Sequence, residues 1–147
     1  MIKGPFGSFF CVIIISWLLF IMDEFSWFVG LYEGEGSLSV RKGHKTVKGK
    51  RYEFINLALS IKMTDEDVIA RAAKFLGNSY HPTERNSTAR RGHKPLWRVV
   101  KCGNHKGSLR ELLDRMYPHL SKRRQAQIEE KIAKAELILE DIKKEGP

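Results

Sequence analysis

Two carboxylates and three glycines crowd the stretch FVGLYEGEG, residues 28–36: Glu33 and Glu35, with glycine at 30, 34 and 36. Carboxylate oxygens suit hard divalent cations. A cation held by them suits hydrolysis, because it activates water and offsets negative charge as it develops. Before the acids the chain is apolar and helix-like, and after them it alternates. The acids therefore fall where a helix must end. Gly30 and Gly34, four apart, share one helical face. The bland alternative is a helix C-cap, a tight turn and two solvated acids.

These residues must be carried by elements that the rest of the chain supplies. The 147 residues fit one domain, or one domain and an appendage. The net charge of +9 is unevenly placed: residues 41–106 hold sixteen bases against five acids, whereas residues 1–40 are net acidic. A polyanion is the natural partner of such a middle segment, and nucleic acid fits it better than a merely soluble basic surface. Cys11 and Cys102 cannot make a disulfide framework and fit a reduced, intracellular setting. Cys102 and His105 have half of a zinc spacing, with no second pair to complete it.

Residues 5–22 carry no charge and are long enough for a membrane anchor. The reading preferred is that residues 1–21 are an apolar extension, with Met22 the true start and 22–147 the working domain. A membrane role then arises only if 5–22 act as an anchor, and the expected location is cytoplasmic, the interior of a host cell or organelle.

Residues 24–34 read as a short helix. Alternation over 37–42 and 52–62 predicts two strands around a basic turn, GHKTVKGKR at 43–51. Ile55, Leu57, Leu59 and Ile61 face one side, and Asn56, Ser60 and Lys62 the other. TDEDVIARAAKFLG then has helical spacing, with Thr64 and Asp67 as a cap and Gly77 as a stop. Residues 79–85 and 95–101 predict a second hairpin. Ser108 and Glu111 suggest a capping box, Pro118 a break, and Ile128, Ile132, Ala135, Leu139 and Ile142 the stripe of a last helix. The fold expected is α+β: a four-stranded antiparallel sheet with helices on one face and a bare, basic face opposite. On that face lie Arg41, Lys42, Lys45, Lys48, Lys50 and Arg51 of the first hairpin, and Arg85, Arg90, Arg91, Lys94 and Arg98 of the second. A two-stranded ribbon of this kind fits the major groove of double-stranded DNA, where some of these residues would take base edges and others only phosphate. Trp97, Phe54 and Phe75 read as core rather than base-stacking residues.

With these elements in order, FVGLYEGEG resembles the signature of the LAGLIDADG homing endonucleases, with glycines at its third and ninth places and acids at its sixth and eighth. MTDEDVI at 63–69 and the Pro118 break before SKRRQAQIE are similar as well, and the resemblance covers about residues 23–135. Glu stands at both acidic places where the name-giving pattern has Asp. The family's αββαββα half-saddle agrees with the order read above. The resemblance implies a site-specific, intron-, intein- or phage-borne DNA endonuclease that uses Mg²⁺ or Mn²⁺ and has no small-molecule substrate. Glu35 would be the metal ligand, with the Gly34 carbonyl beside it. Phe28, Gly30, Leu31 and Gly34 would pack two such helices together, and Gly36 would permit the turn into the first strand. Glu33 would cap or pair rather than bind metal.

One copy of the motif implies a homodimer on a near-palindromic target. Lys62 would stand near the metal-bound water, and Lys106, or alternatively Lys101, near the scissile phosphate. A catalytically inactive DNA- or RNA-binding module or splicing helper of the same fold is the alternative, and Glu35 favours the enzyme. An HNH-type reading of GNHKG lacks a second histidine at a useful spacing.

Overall fold

The computed structural model describes residues 24–83, 94–104 and 106–145. Residues 24–35 are helical (α1) and run straight into β1 (Gly36–Val47). There follow β2 (Lys50–Met63), α2 (Glu66–Leu76), β3 (Tyr80–Pro82), β4 (Trp97–Gly103), α3 (Ser108–Met116), a 3₁₀ turn over Tyr117–His119, and α4 (Lys122–Glu145). The four strands form one antiparallel sheet in the order β1-β2-β4-β3. This is the expected α+β half-saddle, with the helices on one face.

The period-two pattern of β2 explains why the sheet has two faces. Leu38 and Val40 stand opposite Leu59 and Leu57, and Val99 stands opposite Ile61. These residues bury against Phe28, Val29 and Tyr32 of α1, Ile69, Ala72 and Leu76 of α2, Leu109, Leu113 and Met116 of α3, and Ile128 and Ala135 of α4. Phe28 stacks on Phe75, ring centroids 4.5 Å apart. Ser37, Ser39, Ala58, Ser60 and Cys102 occupy the middle of the bare face. Ser37 and Ser60 share a hydroxyl–hydroxyl hydrogen bond of 2.8 Å. Short side chains keep this floor low.

Three local expectations change. The first hairpin does not turn at 43–51: both strands continue to a two-residue loop, Lys48 (φ 51°) and Gly49 (φ 78°), the left-handed pair of a type I′ turn. Gly43 is a strand residue whose missing Cβ leaves room for the Phe54 ring, which would otherwise lie 2.5 Å away. Neither cap forms as read. Asp65, not Thr64, precedes α2, and Gly107 precedes α3, neither with a side-chain cap, because Ser108 is already helical. The stop at Gly77 does form, at φ 67°, with Asn78 N–H donating to Ala73 O and Gly77 N–H to Lys74 O. Of the second hairpin, β3 is only three residues long and ends at Pro82.

Residues 1–21, Arg85, Arg90, Arg91 and His105 lie outside the described residues. Among the described residues no helix is long and apolar enough to cross a membrane.

Candidate metal centre and nucleic-acid interface

The two glutamates of the motif have different surroundings. Glu33 is engaged: its carboxylate accepts from the Ser121 amide at 3.1 Å and from the Ser121 hydroxyl at 2.7 Å. These two bonds hold its carboxyl below the usual glutamate range. Its backbone carbonyl accepts from Arg124 Nε at 3.0 Å and Nη2 at 2.7 Å. Arg124 is buried and also lies 5.5 Å over the Tyr32 ring. Glu33 therefore ties the end of α1 to the start of α4, where a negative charge suits the helix dipole. Glu35 is exposed, and among the described residues it has no hydrogen bond or ion pair.

The glycines also divide. A Cβ on Gly36 would sit 2.6 Å from the Tyr32 carbonyl oxygen and strike the edge of its ring, so close approach inside the protomer excludes a side chain there. The Gly36 backbone is not left-handed, so the reason is contact rather than a special turn. Gly30 and Gly34 are exposed, and a Cβ on either would meet nothing within 4 Å among the described residues. Leu31 beside them is half-buried. Phe28, expected at the dimer interface, is instead 0% exposed in the protomer's own core.

Lys62 follows Ile61, the partner of Gly36, and Glu35 precedes Gly36. Both thus stand at one end of the sheet, each one residue from the same pair. Arg98 pairs with Lys62, and His81 pairs with Arg98. The row Lys62, Arg98, His81 crosses three strands beside Glu35 and edges a recess of about 720 Å³, also lined by Asn78, Ser79 and Thr83. Among the described residues no carboxylate lines it. The Nε of Arg98 and Oγ1 of Thr83 are shielded from solvent without a hydrogen-bond partner among the described residues.

The other two expected lysines are not brought to this corner. Lys101 shares the helix face with Val99, and its Nζ donates to the Leu76 carbonyl at 3.0 Å, closing the carboxyl end of α2. Lys106 follows the far end of β4. Gly103 there pairs with Leu57, five residues from Lys62 along β2, or roughly 17 Å at strand spacing. Alternation along β4 could have signalled Lys101, because it is two residues from buried Val99. Nothing in the sequence singles out His81.

Register also sorts the basic ribbon. Arg41, Lys45 and Lys50 stand on the bare face, whereas Lys42 and Arg51 stand on the opposite one, where Lys42 is 2.9 Å from Glu53. Lys48 is in the turn and Lys94 is exposed before β4. Phe54, read as core, is exposed on the bare face, 39% accessible.

Among the described residues no three His, Cys, Asp or Glu side chains cluster as a metal site. Of the two acids in the motif, Glu35 is the one with no hydrogen bond or ion pair among the described residues. Mg²⁺ is commonly held by only one or two carboxylates and keeps several waters, so an exposed, unpaired carboxylate at a helix end fits it, and a second copy of the same end would fit it better.

No protein-family model matches the chain, and no curated protein matches its sequence. Solved structures do resemble it. The group I intron-encoded homing endonuclease I-CeuI, complexed with DNA, superposes with a TM-score of 0.54 at 16% identity, over 84% of this chain and 58% of that one. An archaeal intron-encoded homing endonuclease complexed with DNA gives 0.49 at 16% identity, over 71% and 62%. The homing endonuclease I-CvuI, in complex with a DNA target in the presence of Mg, gives 0.47 at 21% identity, over 83% and 67%. The chain has the homing-endonuclease fold. It spans less than two thirds of the I-CeuI chain.

Proposed function

We propose that the chain is a site-specific DNA endonuclease of the homing type, working as a homodimer on near-palindromic double-stranded DNA with Mg²⁺ or Mn²⁺. The observation that supports this reading is the contrast between the two glutamates: Glu33 is consumed in tying α1 to α4, while Glu35 has no partner among the described residues and stands beside two glycines, Gly30 and Gly34, at which a side chain would meet nothing among those residues.

Bare backbone at Gly30 and Gly34 lets a second α1 approach closely, with Leu31 closing the seam. Two protomers so joined bring two Glu35 carboxylates together, with the Gly34 carbonyls next to them. A divalent ion bound there supplies Lewis acidity toward water and toward the leaving oxygen. Glu35 holds that ion in place. Lys62 and Arg98, one strand apart, face the phosphate and favour the negative charge that grows on it. Arg41, Lys45 and Lys50 hold the flanking duplex.

The test is cleavage of DNA from the gene's own neighbourhood by the full chain with Mg²⁺, beside Glu35→Gln. The unaltered protein is expected to cut both strands, and Glu35→Gln to bind without cutting. Equal behaviour of the two proteins would favour a binding module instead.

A further inference from the structure

Exposed apolar side chains grouped on one face and rimmed by polar residues mark an interaction site. Val47, Tyr52 and Phe54 are 41%, 51% and 39% exposed, and the register places all three on the bare face of the β1–β2 ribbon. Four successive cross-strand pairs there are Arg41 with Asn56, Gly43 with Phe54, Lys45 with Tyr52, and Val47 with Lys50. The Phe54 ring lies across Gly43, close enough that any Cβ would strike it. The glycine thus leaves room for the outer end of the ring over the neighbouring strand. A cation or amide stands next to each apolar group.

Pairs on one face recur about every 6.8 Å, and nucleotides along a strand about every 3.4 Å, so each pair addresses about two base pairs. In the major groove the apolar feature of a base edge is the 5-methyl of thymine. We infer that Phe54 and Tyr52 read thymine 5-methyl groups, with Arg41 and Asn56 reading the purines on the inner side. This rests on the DNA-binding function proposed above and specifies what its ribbon recognises.

The experiment acts on the DNA, so the protein's folding is not at stake. Duplexes bound by the full chain with Ca²⁺ would be enriched from a random pool and sequenced. Each recurrent thymine would then be replaced by uracil, which lacks only the methyl. Loss of one buried methyl is expected to weaken binding about fourfold at one or two positions in each half-site. A folded Phe54→Ser protein, checked by thermal unfolding, should show no such penalty at the position served by Phe54. Enriched sequences that accept uracil everywhere, or that lack recurrent thymine, would overturn the inference alone. A pool from which nothing is enriched would overturn both it and the function on which it rests.

Discussion

Arg124 closes a two-pronged hydrogen bond on the carbonyl oxygen of Glu33, 3.0 Å from Nε and 2.7 Å from Nη2. The last turn of α1 is thereby fixed two residues before Glu35. Lysine has no fork, so Arg124→Lys keeps the charge but loses the second bond and the Nη1 bond to Gln127. A cost of roughly 1.5–3 kcal/mol in unfolding free energy is expected, measured by denaturant titration. Cleavage should fall further than DNA affinity.

Gly34→Leu tests the proposed dimer apart from the protomer. Nothing within the described residues crowds position 34, and leucine is the better helix former by about 0.8 kcal/mol. Protomer stability is expected to hold or rise while self-association, followed by sedimentation, falls at least about tenfold, or about 1.4 kcal/mol. A persistent dimer would place the seam elsewhere.

Gly36→Ala has the opposite character. Its methyl meets the Tyr32 carbonyl and a Tyr32 ring that is itself buried, so neither can yield freely. Destabilisation of about 1–3 kcal/mol is expected by thermal unfolding, with no dependence on protein concentration.

The Ser121 hydroxyl and amide depress the Glu33 carboxyl below its ordinary value of 4.5. Such a group stabilises the fold fully above the unfolded-state value, and the contribution is lost as pH falls through the lower, folded value. Glu33→Gln should therefore be less stable than the unaltered chain at pH 7, with the gap closing below about pH 4.5. A gap that stays constant down to pH 2 would show that the charge plays no part.

Lys62 and Arg98 stand opposite each other in the ladder beside Glu35. Replacing either by Ala is expected to lower cleavage by about 10²-fold and the salt slope of DNA binding by roughly one unit. Lys101→Ala should instead act through stability, because its ammonium closes α2 at the Leu76 carbonyl.

How far the sequence reaches can be seen residue by residue. Period-two apolar positions at 55, 57, 59 and 61, the helical stripe from Ile128 to Ile142, and Gly77 after Leu76 determined the strands, the last helix and one helix end, because burial and left-handed backbone leave local marks. They determined the αββαββα order and the position of Glu35 at a helix end. Tertiary structure alone decided what occupies Glu33, because Ser121 and Arg124 lie about ninety residues away. It also decided the faces of the ribbon: over residues 44–54 the side chains of both faces are exposed, alternation carries no inward signal, and only register sends Lys42 and Arg51 one way and Phe54 the other. Phe28 turned inward and Lys106 fell distant for the same reason, since a residue's neighbours across the sheet are set by pairing and packing rather than by its place in the chain.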